Sequence, residues 1–69
     1  MKIPLKAARA MRDKSQVDMA KALGIERTYY GKLEKTPERF SIEQVRIICA
    51  TLEVQPEDII GLALHSNTQ

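Results

Sequence analysis

Apolar positions along this chain recur every three or four residues, in short runs. Leu5 and Ala8 open the first run, and Met19, Ala20 and Leu23 form the second. Tyr30 and Leu33 make the third, Val45, Ile48, Cys49 and Leu52 the fourth, and Ile59 with Ile60 a fifth. Apolar and polar residues alternate over no long run, so the pattern is one of short amphipathic helices, each with one buried face. Five helices with short loops are predicted, packed as a single all-α bundle.

The residues between the runs mark where the helices begin and end. Pro4 fits a first helical turn, where its missing N–H costs nothing, and that helix runs to about Arg12. Ser15 is an N-cap with Asp18 three residues on, the spacing of a reciprocal capping pair. The second helix, Gln16 to Leu23, ends at Gly24, a residue suited to the left-handed conformation. A third helix starts near Glu26 or Arg27 and runs to about Lys35, followed by a loop with Pro37. Ser41 caps the fourth helix with Gln44 as its reciprocal partner, and Phe40 and Val45 are spaced as a hydrophobic staple. Pro56 begins the fifth, with Glu57 and Asp58 at the positive end of its dipole. Residues 65–69 read as a frayed tail.

Sixty-nine residues form one domain, spanning 1–69. So small a core is marginal unless it packs well or pairs with a second copy. The single cysteine, Cys49, excludes an internal disulfide framework, supplies no metal cluster and suits a reducing cytosol. Neither a signal-peptide core nor a bilayer-spanning segment is present, so a soluble cytoplasmic protein with no membrane partner is expected. Net charge is only +2, but residues 1–39 carry +5 and residues 40–69 carry −3. The basic half holds the two helices joined through Gly24, and it points to a polyanion.

That helix pair is the most specific feature. Two short helices joined by one glycine turn cannot lie flat together; the second crosses the first and leaves one face free, and DNA's major groove fits a basic face of this kind. At about 100° per residue, Tyr30 and Leu33 point inward, while Thr28, Gly31, Lys32 and Lys35 point outward. Arg27 and Tyr29 lie at the margins. Glu34 falls on the inward margin, where a carboxylate requires a cation or hydrogen-bond donors.

The run S-Q-V-D-M-A-K-A-L-G-I-E-R-T-Y-Y-G-K-L-E-K, Ser15 to Lys35, resembles the helix-turn-helix of phage-repressor and Cro-type regulators, the XRE-like family. That family shows [S/T]-Q-x-x-L-A-x-x-L-G-[V/I], then a second helix ending in an apolar residue followed by Glu. The resemblance extends from about Leu5 through S-I-E-Q-V-R-I-I-C-A-T-L-E-V-Q-P-E-D-I-I to Ile60. It implies a lambda-repressor-like DNA-binding domain with the helix-turn-helix at helices 2 and 3. R-T-Y-Y also resembles the recognition-helix start of controller proteins from restriction-modification systems.

The resemblance implies roles residue by residue. Arg27, Thr28 and Lys32 match base-reading positions: Arg grips guanine O6 and N7, Thr offers a hydroxyl and a methyl, and Lys reaches guanine acceptors or phosphate. Gln16 opens the second helix, where orphan N–H groups and the dipole favour phosphate. Lys35 and Arg39 match phosphate contacts, with a loop charge as the other reading of Arg39. Tyr29 either packs on a thymine methyl or sugar, with its hydroxyl toward phosphate, or packs on the domain surface. Arg9 and Glu34 match an ion pair joining the first helix to the end of the third. The chain departs from the family at Lys14, where an apolar residue is usual, and at Glu26, where Ser or Thr caps the recognition helix. Gly31, inside that helix, is a third departure.

A Cro/repressor-type transcriptional regulator that reads a double-stranded operator is the leading expectation. One such domain reads few base pairs, so a homodimer on a roughly palindromic site is expected. Ile59, Ile60, Leu62 and Leu64 are the interface candidates; Ile59 and Ile60 also have a core reading, whereas Leu62 and Leu64 lie beyond the family core. The alternative is a helix-turn-helix module that docks on another regulator, to which Glu26, Gly31 and the paired tyrosines are suited. No enzyme is expected, and no cofactor, metal or small-molecule ligand: the one histidine, His65, is in the tail, and the acids are scattered over short helices without a pocket.

Overall fold

Pro4 is in extended conformation (φ −66°, ψ 153°) and hands the chain directly to the first helix, α1, at Leu5–Met11. The computed structural model describes residues 2–62. Three more helices follow, α2 at Gln16–Leu23, α3 at Arg27–Lys35 and α4 at Ile42–Leu52, with 3-10 turns at Pro37–Arg39 and Pro56–Asp58. Among the described residues this makes four α-helices, not the five expected.

Local chemistry sets most of the boundaries. Ser15 Oγ accepts from the Asp18 N–H at 3.0 Å while the Asp18 carboxylate accepts from the Ser15 N–H at 2.9 Å. Ser41 and Gln44 repeat the arrangement at the start of α4. The Ser15 backbone N–H, and then its hydroxyl, hold the Asp18 carboxyl below the usual carboxylate range. Gly24 ends α2 in the left-handed region at φ +70°, and the following Ile25 N–H returns to the Ala20 carbonyl at 3.0 Å. Glu26 gives α3 no side-chain cap.

The end of α4 is different. Glu53 takes the left-handed conformation (φ +57°) without being glycine. Two bonds hold it: Val54 N–H to the Cys49 carbonyl at 3.1 Å, and Arg12 Nε, from the end of α1, to the Leu52 carbonyl at 2.9 Å. A side chain 40 positions away thus satisfies an orphan helix carbonyl.

The core draws on all four helices. Leu5 and Ala8 of α1, Met19 and Ala20 of α2, and Tyr30 and Leu33 of α3 meet Phe40 and the Val45, Ile48 and Leu52 face of α4. α2 packs against both α3 and α4, and the small, buried Ala20 sits in that packing. Phe40 lies against Tyr30 with ring centroids 6.0 Å apart.

The fifth helix is replaced by extended chain. After the turn at Pro56–Asp58, Ile59 is extended (φ −113°, ψ 129°) and pairs in parallel with Ile3. Ile3 donates its N–H to the Asp58 carbonyl and accepts from the Ile60 N–H, both at 2.9 Å. Extended chain alternates its side chains, so Ile59 is fully buried and Ile60 is 51 % exposed; Gly61 (φ +79°) then turns the chain and drops Leu62 into the core. Helical spacing would have kept Ile59 and Ile60 on neighbouring faces.

Candidate nucleic-acid interface

α3 is anchored on one side only. Tyr30 is fully buried and Leu33 nearly so, which holds the opposite side out: Arg27, Thr28, Tyr29, Lys32 and Lys35 are all exposed. Arg39, in the following 3-10 turn, is also exposed. Tyr29, Lys32, Thr36 and Arg39 line a hollow of about 360 Å³ at the end of α3. Tyr29 is 51 % exposed and shares this hollow with the cations Lys32 and Arg39. The hollow therefore brings together Lys32, Tyr29 and Arg39, three of the positions at which the family resemblance implies DNA contacts.

Beneath this face lies a polar cluster centred on Glu34. Its carboxylate accepts from Arg9 Nε at 2.6 Å and Nη2 at 3.1 Å, from Gln16 Nε2 at 3.0 Å, and from the Tyr30 hydroxyl at 2.8 Å. Arg9 Nη1 donates to the Lys14 carbonyl at 3.0 Å. The pair is largely buried, with side-chain exposures of 13 % for Arg9 and 8 % for Glu34. Burial by itself pushes the Glu34 carboxyl up. The hydrogen bonds from Arg9, then Gln16 and Tyr30, outweigh it and leave the group below its usual range. The Arg9 guanidinium is raised, chiefly by its hydrogen bond to Glu34. Tyr30 is pushed well above the ordinary phenol range, first by burial and then by Glu34.

Gln16 is where the sequence reading was incomplete. Its carboxamide is engaged inside the domain: besides the bond to Glu34, Oε1 accepts from Arg27 Nη1 at 3.3 Å. Its second amide N–H has no partner among the described residues. The Tyr30 hydroxyl was not anticipated as a donor, although Tyr30 and Glu34 share the inward stripe at helical i, i+4 spacing. That spacing was the available signal.

Two interface candidates fall. Ile59 and Leu62 are 0 % and 1 % exposed, core residues with no surface to offer a partner. The extended conformation buries Ile59, and the turn at Gly61 carries Leu62 into the core. Ile60 is exposed, at the edge of a hollow of about 530 Å³ beside Pro4, Pro37 and Gly61. Leu64 lies outside the described residues.

A capped helix, a left-handed glycine turn and a second helix anchored along one side define a helix-turn-helix DNA-binding domain. A helix-turn-helix family model matches residues 5–59, and the chain belongs to that family, of the Cro/C1, XRE-like type. No curated protein and no solved structure gives a match. Among the described residues no helix is long and apolar enough to cross a membrane.

Proposed function

We propose that this protein is a sequence-specific transcriptional regulator, a repressor of the Cro/C1 type acting in the cytoplasm on a DNA operator. α3 enters the major groove. Arg27 grips guanine O6 and N7, Thr28 meets an adjacent base edge, and Lys32 reaches a guanine acceptor or a phosphate. The free Gln16 N–H, Tyr29, Lys35 and Arg39 hold the phosphate backbone and set the register. Two copies bind a roughly palindromic operator with half-sites about one helical turn apart. The observation that carries this reading is the exposure of Arg27, Thr28 and Lys32 on a helix whose other side is pinned by buried Tyr30 and Leu33.

Selection from a random duplex library tests it. The wild type enriches a motif, and Arg27→Ala and Lys32→Ala each relax it at one position. A wild type that enriches nothing would turn the reading toward a module that docks on another regulator.

A further inference from the structure

The outward side of α4 carries a stripe that neither the core nor the reading face uses. At the helical repeat, Ile42, Arg46, Cys49, Ala50 and the capping Glu53 fall within an arc of about 100°. Ile42 is 59 % exposed, Arg46, Ala50 and Glu53 are exposed, and Cys49 is half-buried. Alongside lies a hollow of about 510 Å³ whose apolar lining includes Cys49, Ala50, Val54 and Pro56. Among the described residues the ion pairs are Arg9–Glu34 and Arg12–Glu53, and Arg46 takes part in neither. Glu53 has only a 3.6 Å contact to Arg12, its side chain 74 % exposed. Arg46 is also the one Lys or Arg in residues 40–69, amid Glu43, Glu53, Glu57 and Asp58.

We propose that this stripe is a self-association surface that takes a second copy of the chain, α4 against α4, antiparallel about a two-fold axis. The order of charges carries the argument. The midpoint between Arg46 and Glu53 lies between Cys49 and Ala50. An axis through that point sets Arg46 against the partner's Glu53, and symmetry makes the same pair a second time. At 1.5 Å per residue the two arginines stay about 10 Å apart along the helices, so like charges do not meet. Ala50 beside the axis lets the helices approach closely. Ile42, about 11 Å from the axis, is the far end of the stripe. α2 packs against both α3 and α4, and Arg27, Thr28 and Lys32 lie on α3, outside the α4 stripe.

A contact of three helical turns belongs to the small end of specific interfaces, below about 1,200 Å² in total, so the dimer is reversible in free solution. The inference deepens the palindromic-operator reading by naming its protein–protein contact, and rests on that reading for its use. Association itself is measured without DNA.

Sedimentation equilibrium of the full chain, up to about 1 mM, is the test. The wild type follows a monomer–dimer equilibrium. Arg46→Glu and Glu53→Arg each weaken it by at least about tenfold, and the double exchange restores it. Thermal melting checks that each variant folds; should Glu53→Arg not fold, Ala50→Glu, which faces two carboxylates across the axis, gives the same loss. A wild type monomeric throughout, single variants that associate like wild type, or a double exchange as weak as the singles each overturn the surface. Duplex selection by the wild type is a separate measurement, so none of these failures counts against DNA reading.

Discussion

Glu34 ties three helices through one carboxylate: Arg9 reaches it from α1, Gln16 from α2 and Tyr30 from its own helix. Removing it strands the Arg9 guanidinium and the buried Tyr30 hydroxyl. Glu34→Ala is therefore expected to cost about 3–5 kcal/mol of stability, and duplex affinity falls as a consequence because the angle of α3 loosens. A double-mutant cycle with Arg9→Ala, read by chemical denaturation, should show strong coupling; additive effects would reject the role. The pH dependence follows from the same site. The folded-state carboxyl of Glu34 lies below its unfolded value, so its stabilisation is complete above the unfolded pKa of about 4.3 and is lost as pH falls through the folded value. The melting-temperature gap between wild type and Glu34→Gln should be widest near neutral pH and narrow progressively as pH falls below the unfolded value. The need for a partner at Glu34 was legible in helical periodicity. The family resemblance supplied Arg9, 25 positions away; periodicity gives only a direction, so Gln16, 18 positions away, was not legible.

At the scale of elements, caps and turns were the most legible features, because their bonds span three to five residues. Ser15 with Asp18, Ser41 with Gln44, and Gly24 all stand where local chemistry put them. The two glycines of the helix-turn-helix are expected to behave oppositely. Gly24→Ala forces a side chain into φ +70° and should cost about 1–2 kcal/mol, although the space around it is open. Gly31→Ala lies in helical conformation, its new Cβ in ordinary contact with Gln16 Oε1 at 3.5 Å, and should stabilise by about 0.5–1 kcal/mol. Where the missing side chain lets α3 approach a groove wall closely, that stabler variant binds the selected duplex more weakly; an unchanged affinity in an anisotropy titration would reject this role for Gly31. The segment after Pro56 was misread as helix because a proline followed by acids and paired isoleucines satisfies helix-start rules. Its extended form depends on Ile3, at the far end of the chain.

Across the whole molecule, charge is laid out by half: residues 1–39 carry the helix-turn-helix and +5, residues 40–69 carry −3. A proposed duplex partner then predicts steep salt dependence. Log affinity should fall linearly with log salt, and Lys35→Ala or Arg39→Ala should each reduce the slope by about 1 without altering the selected motif. A slope unchanged by either substitution would remove that side chain from the backbone contacts. Helix periods, caps, the glycine turn and the basic half rest on neighbours in sequence or on simple sums, so the chain alone carries them. Three features come only from segments brought together by folding: the number of helices, the burial of Ile59 and Leu62, and the engagement of the Gln16 carboxamide by Glu34 and Arg27. Contacts between distant positions compete for each side chain, and packing, not local preference, chooses the winner.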